Sequence, residues 1–367
     1  MRPLPFVVGL LLIAVVLWDA FETVVLPRTV TRRVRLTRLY FRATWSPWSR
    51  VARLFKSDAR RERFLAVYGP LSLLGLLSVW AFALILGFAV CQWAAGSQLQ
   101  TPSGDAATFR DDLYMSGTTF FTLGLGDLHP VARLARLLTT VEAGMGFAFL
   151  AIVIAYFPVL YQSFSRREVR LTLLDAWAGS PPSAAEVLRR LATAGEMRAL
   201  DSFLKDWEIW CSEVLESHIS YSILAFFRSQ HQRQSWVSAL TSVLDLSSLV
   251  IVGIEGAPKW QAHVTFAIAR HAAVDLSQVL GAKPSRSNDR LSTQDLELLR
   301  RQLEGAGLRL VRSADADAQL IELRQSYEPF VAGLARLLMV PPPSWWRPHA
   351  SKDNWQVSPR RDLEAHL

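Results

Sequence analysis

Between residues 122 and 127 the chain reads Thr-Leu-Gly-Leu-Gly-Asp, with glycine at every second position, Gly124 and Gly126. In an extended chain of ordinary L-residues the carbonyls alternate sides, so a strand alone cannot present a continuous row of oxygens. Glycine accepts positive φ without steric cost, which lets successive carbonyls turn to one side. A stack of such carbonyls, with the Thr122 hydroxyl at its inner end, can replace the hydration shell of a potassium ion. On this reading Thr122, Leu123, Gly124, Leu125 and Gly126 supply the oxygens for K+. A plain glycine turn carries the same letters, but a turn in a soluble loop needs no membrane spans on either side.

Such spans are present. From Phe64 to Trp93 there is no charge after Arg63, and from Leu137 to Tyr161 the only charge is Glu142, near the outer end. At 1.5 Å rise per residue both runs are long enough for the hydrocarbon core. A third run, Pro5 to Leu26, has an uncharged core of only about 14 residues before Asp19 and Glu22, against the usual ~20. It is read as a further span. A signal peptide is the competing reading, and the lack of a small-x-small cleavage site before the basic block argues against it. Asp19 and Glu22, three apart on one helical face, are expected to pair with Arg28 or a neighbouring span, without a transport role.

Between Arg28 and Arg63 twelve basic residues stand against Asp58 and Glu62, in a chain of net charge +8. The loop therefore carries all of the excess positive charge and is expected on the cytoplasmic side. That places the amino terminus outside and everything after Ser165 in the cytoplasm of a cell (inner) membrane protein, in keeping with Arg166, Arg167 and Arg170. The charge is a topology and lipid signal, and no nucleic-acid partner is expected. Within the loop Trp45, Trp48, Leu54 and Phe55 alternate with Arg50, Arg53 and Lys56, as in a helix lying on the inner leaflet with its cations on anionic headgroups. A topology anchor alone is the other reading. No span carries arginine at every third residue, which disfavours voltage sensing.

Asp111 and Asp112 precede Leu113 to Phe121, where acidic residues both cap a helix amino terminus and oppose its dipole. The carboxyl end of that short helix would favour a cation below the glycine run. Asp127 follows the last glycine, with Tyr114 as its best-placed donor; a solvated charge at the mouth is the alternative. In the second long span Gly144, Gly146 and Pro158 could each bend the helix, although small residues also permit close packing. Glu142 is expected to support the back of the glycine run or the outer vestibule.

The segment DLYMSGTTFFTLGLGDLHP, followed by Arg136, resembles the pore loop of the two-transmembrane-type potassium channels. The resemblance covers roughly Val67 to Ser165. It implies a homotetramer around one axis, since the chain has one such loop, with an outer helix, a tilted pore helix, the filter and an inner helix from each copy. It also implies a gating hinge at an inner-helix glycine, near Gly146. The familiar filter is TTVGYG, and here Phe121, Leu123 and Leu125 replace the first threonine, the valine and the tyrosine. Leu125 cannot make the tyrosine's hydrogen bonds, and Met115, at the matching pore-helix position, would give it an apolar contact instead. A GLG filter is similar to one pore loop of some two-pore-domain potassium channels.

From Arg166 to Val340 the pattern is that of a helical, non-membrane region: Trp207, Trp210, Val214, Leu215 and Ile219 recur at helical spacing, as do Val237, Leu240, Leu244 and Val250. Trp236 to Ile254 approaches the length of a span, but Asp245 alone would cost about 3 kcal/mol to insert, so a buried helix is expected. Residues 281–290 read as a polar linker, Ser292 and Asp295 as a capping box, and Gly305 as a helix end. There is no GxGxxG after a strand, no P-loop, no GxSxG and no HExxH; His263 and His271 read as ordinary helix residues, and Cys91 and Cys211 are not expected to pair. No enzymatic role, cofactor or metal site beyond permeant K+ is expected.

The sequence thus predicts an all-α membrane protein: an N-terminal transmembrane helix (1–27), a basic cytoplasmic loop with an interfacial helix (28–63), a pore-loop cation-channel domain (64–165), a helical cytoplasmic domain (166–340) that gates the inner helix in response to an unidentified regulator, and a proline-rich tail (341–367). The function it predicts is passive, potassium-selective conduction. A weakly selective cation channel, or a non-conducting membrane-anchored sensory protein with a pore-like module, is the alternative.

Overall fold

A computed structural model describes residues 2–26, 36–102, 104–230, 234–285, 289–341, 343–346 and 353. The chain is mostly helical and divides into two compact units, Met1–Gln162 and Ser163–Leu367. Among the described residues four helices are long and apolar enough to cross a membrane: Pro3–Val24, Asp58–Ala95, Arg133–Ala178 and Trp236–Gly253.

In the first unit, α1 (Pro3–Ala20) runs into a π-helical turn (Phe21–Val25) and packs along α3 (Asp58–Ala95). The two backbones meet at glycines. A Cβ at Gly9 would lie 2.6 Å from the Cys91 sulfur and 2.8 Å from the Gly87 carbonyl, and one at Gly87 would lie 2.7 Å from Ile13. Small residues at the crossing permit this approach. Below it, the buried Asp19 carboxylate accepts from the Thr37 backbone N–H (3.1 Å), the Thr37 hydroxyl (2.6 Å) and the Trp80 indole (3.1 Å), so three helices converge on one charge. Glu22 accepts from Trp18 at 2.8 Å. The expected partner Arg28 lies outside the described residues.

The amphipathic helix α2 (Leu36–Ala52) uses its aromatic face differently from expectation. Trp45 packs edge-on against Tyr68 at 4.7 Å and Trp48 stacks on Phe64 at 4.4 Å, so these rings cover α3 rather than a leaflet. Leu39, Val51 and Leu54 remain exposed, as do Arg50, Arg53 and Lys56. After α3 come β1 (Leu99–Gln100), α4 (Phe109–Phe120), β2 (His129–Pro130) and α5 (Arg133–Ala178). The boundary between the two units falls within α5.

The second unit is built around α8 (Trp236–Gly253), in which every residue from Trp236 to Val252 is buried. It packs against α9 (Lys259–Leu280), α11 (Ala314–Leu338), α6 (Ala184–Ala194) and α7 (Ala199–Ser220), with α10 (Thr293–Gly305) against α6. The Asp245 carboxylate, in the middle of α8, is met by both terminal nitrogens of Arg290 (2.7 and 3.0 Å) and by the Tyr327 hydroxyl (2.5 Å). Arg290 also reaches Glu328 and lies over Trp345. The segment expected to be a polar linker therefore delivers a core residue. Ser292 and Asp295 form the capping box, and α10 ends at Gly305. In the proline-rich tail the described residues 341, 343–346 and 353 lie outside helix and strand: Trp345 is buried, its carbonyl accepts from Ala185 N–H (3.1 Å), and the Asp353 carboxylate meets Ser180 N–H (3.1 Å) and Arg190 (2.5 Å).

Arg167, counted in the sequence as a surface topology charge, is buried instead. Its guanidinium donates to the carbonyls of Leu224 (2.9 Å) and Phe227 (2.7 Å), to Glu168 (3.0 Å) and to the His218 ring (3.2 Å). With the other His218 nitrogen 2.9 Å from the Val214 carbonyl, both ring nitrogens are satisfied by a neutral imidazole.

Two outcomes follow from these buried charges. Asp245→Ala leaves the buried Arg290 with Glu328 as its one remaining carboxylate among the described residues, takes the acceptor from the Tyr327 hydroxyl, and should destabilise the second unit by about 3–5 kcal/mol, read as the shift in denaturant unfolding. Burial, and then the Arg167 charge, push the His218 pKa well below its ordinary value. The unfolded chain therefore binds the extra proton first. Stability should be complete above the ordinary histidine range near ~6.5 and fall as the pH drops below it. Thermal melts across that range should show a flatter acid limb in His218→Gln.

Candidate functional site

The pore loop starts at a doubly satisfied helix cap. Asp111 accepts from both the backbone N–H and the hydroxyl of Thr108 at 2.8 Å, and the next residue, the buried Asp112, accepts from Ser97 at 2.5 Å. These acids fix the amino end of α4 to the chain just after α3 and oppose the helix dipole. Entry and exit of the loop are tied by the β1/β2 ribbon, Leu99 opposite Pro130 and Gln100 opposite His129. Arg136 closes the exit by donating to the Pro130 carbonyl at 3.2 Å.

At the other end of α4, the N–H groups of Phe121, Thr122 and Leu123 bond back to Gly117, Thr119 and Thr118, so the helix unwinds over one turn. The backbone then alternates in hand: φ is +56° at Thr122, +55° at Gly124 and +79° at Gly126, while Leu123 and Leu125 between them stay on the ordinary side. Alternation on this period is what a row of carbonyls facing one side needs. Glycine takes two of the three positions without strain. The third falls on a β-branched residue, for which positive φ costs about 1–2 kcal/mol, and no residue preference points to that conformation at Thr122. Phe121 through Asp127 are all exposed within one chain, Leu123 at 62% and Leu125 at 64%.

The side chains behind the loop occupy distinct places. The Tyr114 hydroxyl donates to Asp127. Met115 is buried, whereas Leu125 leaves most of its surface uncovered, so the apolar support envisaged for Leu125 is incomplete within one chain. Glu142, fully buried on α5, meets the hydroxyl of Ser116 on α4, a residue that no motif or spacing marks in the sequence. The buried amide of Gln92 ties α3 to α5 through Ala135 O (3.1 Å) and Thr139 (3.2 Å).

The three positions expected to bend the inner helix also differ. The helix continues without interruption from Arg133 to Ala178, through Gly144, Gly146 and Pro158. Gly144 is exposed with nothing near the position of a Cβ. A Cβ at Gly146 would overlap the Phe120 carbonyl oxygen and come within 2.8 Å of its carbon. Gly146 is thus a close-packing site against the last residue of α4. Further along α5, Phe147, Leu150, Ile154, Phe157 and Tyr161 form an exposed apolar stripe at helical spacing.

Two spanning helices enclosing a short inserted helix and an alternating-hand loop define a pore-loop ion-channel domain, and residues 75–162 match the family described as "Ion channel". The chain is a multi-pass membrane protein, and residues 75–162 are the part of it that is similar to that family. It is similar to an uncharacterized membrane protein, YdjJ, of Bacillus subtilis, 26% identical over 193 residues that make up 52% of this chain and 55% of that protein. It is also similar to Protein LctB of Geobacillus stearothermophilus, 32% identical over 90 residues, 22% of this chain and 66% of that one. The chain thus spans between half and two thirds of the length of these relatives. No solved structure matches it.

The two inner-helix glycines should respond oppositely to a methyl group. Gly146→Ala forces the end of α4 off α5 and should cost about 1–3 kcal/mol, whereas Gly144→Ala, beside open space, should be neutral or stabilising by up to ~1 kcal/mol. Thermal unfolding of the detergent-solubilised protein distinguishes the two.

Proposed function

We propose that four copies of this chain assemble around one axis into a channel that conducts potassium passively, with the oxygens of Thr122 to Gly126 as the ion sites. The observation that carries this reading is the run of positive φ at Thr122, Gly124 and Gly126, directly after the carboxyl end of α4. The exposed filter and the apolar stripe of α5 support assembly, since both are surfaces that a lone chain leaves uncovered. The negative end of the α4 dipole favours a cation beneath the filter.

The basic stretch from 28 to 63 sets the orientation in this reading, with the amino terminus outside and the second unit in the cytoplasm. Arg50, Arg53 and Lys56 then face anionic headgroups of the inner leaflet, and the second unit acts on the gate through α5, which contributes residues to both units. Gly144 and Pro158 are the positions left for bending, because Gly146 is committed to packing.

The exposed Leu125, which has no hydroxyl to hold it, favours a second reading in which the filter passes sodium as well. Reversal potentials in a planar bilayer, with potassium on one side and sodium on the other, separate the two. A value near the potassium equilibrium potential is the expected outcome, a value near zero with clear current means weak selectivity, and no current in any variant favours the non-conducting sensory reading. Gly124→Ala should abolish the current while leaving assembly intact, because the added methyl opposes positive φ. Unchanged current would overturn the filter assignment.

A further inference from the structure

Behind the pore loop the hydrogen-bond count around Ser116 is unbalanced for an ionised neighbour. The Ser116 hydroxyl, fully buried on α4, lies 2.8 Å from the carbonyl of Ile85 on α3 and also touches Oε1 of Glu142 on α5. A hydroxyl has one proton and two lone pairs. If Glu142 were a carboxylate, both neighbours would be acceptors competing for that single proton. Its other oxygen, Oε2, is buried and has no donor among the described residues, so an anionic oxygen would be left bare inside a membrane span, where unsatisfied polar groups cost several kcal/mol.

One additional proton resolves both contacts of Ser116 and removes the charge from Oε2. With a hydrogen on Oε1, Glu142 donates to Ser116 and Ser116 donates to Ile85 O, which leaves Oε2 as a neutral carbonyl oxygen. The titratable groups on the packed elements are consistent with this arrangement. Cys91 faces Glu142 from α3, and Asp112 lies one turn before Ser116 on α4, where Ser97 holds it. Among the described residues no cation is paired with Glu142.

We propose that Glu142 is a carboxylic acid whose proton forms the first link of a relay, Glu142 to Ser116 to Ile85, that positions the pore helix between the two spans. It acts through α4 and touches no ion. One turn further along both helices, Gly146 presses on the Phe120 carbonyl, so the pairs 142/116 and 146/120 fix the rotation of α4 in two successive turns. That rotation sets where the backbone leaves the helix at Thr122. The consequence for conduction rests on the channel reading above; the protonation does not.

The test is an infrared difference spectrum of the full-length protein in lipid vesicles at neutral pH, wild type minus Glu142→Gln, with potassium flux measured on the same samples. Exposed carboxyls are ionised there. The expected result is a protonated-carboxyl C=O band that disappears in Glu142→Gln and gives way to a carboxylate band on alkalinisation. Glutamine can donate to Ser116 and cannot ionise. Its flux should therefore match wild type at neutral pH and stay level at alkaline pH, where the wild type declines. If Glu142→Gln does not fold, Ser116→Ala serves instead, and the band should move to higher frequency as the acid loses its acceptor. A carboxylate band at neutral pH, or a band that Ser116→Ala leaves unmoved, overturns the relay. A band as expected together with flux abolished in Glu142→Gln overturns the positioning role. The expected bands with no flux in any sample uphold the relay and count against the channel reading instead.

Discussion

A backbone that alternates in hand cannot form a helix or a strand ladder, so it has no regular hydrogen bonding of its own and depends on what grips its ends. In this chain that requirement organises the first unit. The α4 carboxyl end is held by the back-bonds of residues 121–123 and by the contact of Phe120 with Gly146, and the far end by Asp127 on Tyr114 and by the β1/β2 ribbon. Each grip is fixed in turn by a longer element. The ribbon closes because α3 ends at the left-handed Gly96, and the Phe120 contact forms only because α5 carries no side chain at position 146. The strain of a left-handed threonine is tolerable where both flanks are held in this way.

The second unit solves a different problem, a helix apolar enough for a bilayer that is wrapped by other helices instead. A buried aspartate is costly unless paired and fully hydrogen-bonded, and Asp245 receives two guanidinium nitrogens and a phenol. The ion cluster extends through Glu328 to Arg324, which also reaches Asp289 and the Leu291 carbonyl. Such a cluster contributes less net stability than apolar packing of the same volume would, but it fixes which helix faces meet. Pairing Asp245 with residues from two other parts of the unit sets the register of α8 against α11.

The parts of this architecture that were legible in the sequence are those governed by local rules. Glycine spacing located two of the three left-handed residues of the loop after α4, uninterrupted apolar length located α3 and α5, and Ser292 with Asp295 marked the start of α10. What was not legible depends on register between elements. Ser116 is an ordinary polar residue until α5 brings Glu142 against it, and Gly146 reads equally as a hinge or a packing site until the position of Phe120 is known. Arg290 lay in a polar stretch with serines and a proline, and nothing local says that its guanidinium turns inward. Trp45 and Trp48 carry the composition of a membrane-surface helix, and only the spacing of Phe64 and Tyr68 on α3 diverts them. Thr122 runs against residue preference outright, because the loop dictates its conformation.

The clasp formed by the tail has a consequence for how the second unit is made. Arg190 and the Ser180 amide close on Asp353, partners 163 and 173 residues further along the chain. At a synthesis rate of about 5–20 residues per second, the first of those groups waits on the order of ten to thirty seconds for its partner to be made. Contacts of such long sequence separation form late, after the loop-closure entropy has been met. Helix α6 therefore leaves the ribosome with Arg190 still unmatched by Asp353, and the stretch that carries Asp353 closes on a helix made long before it.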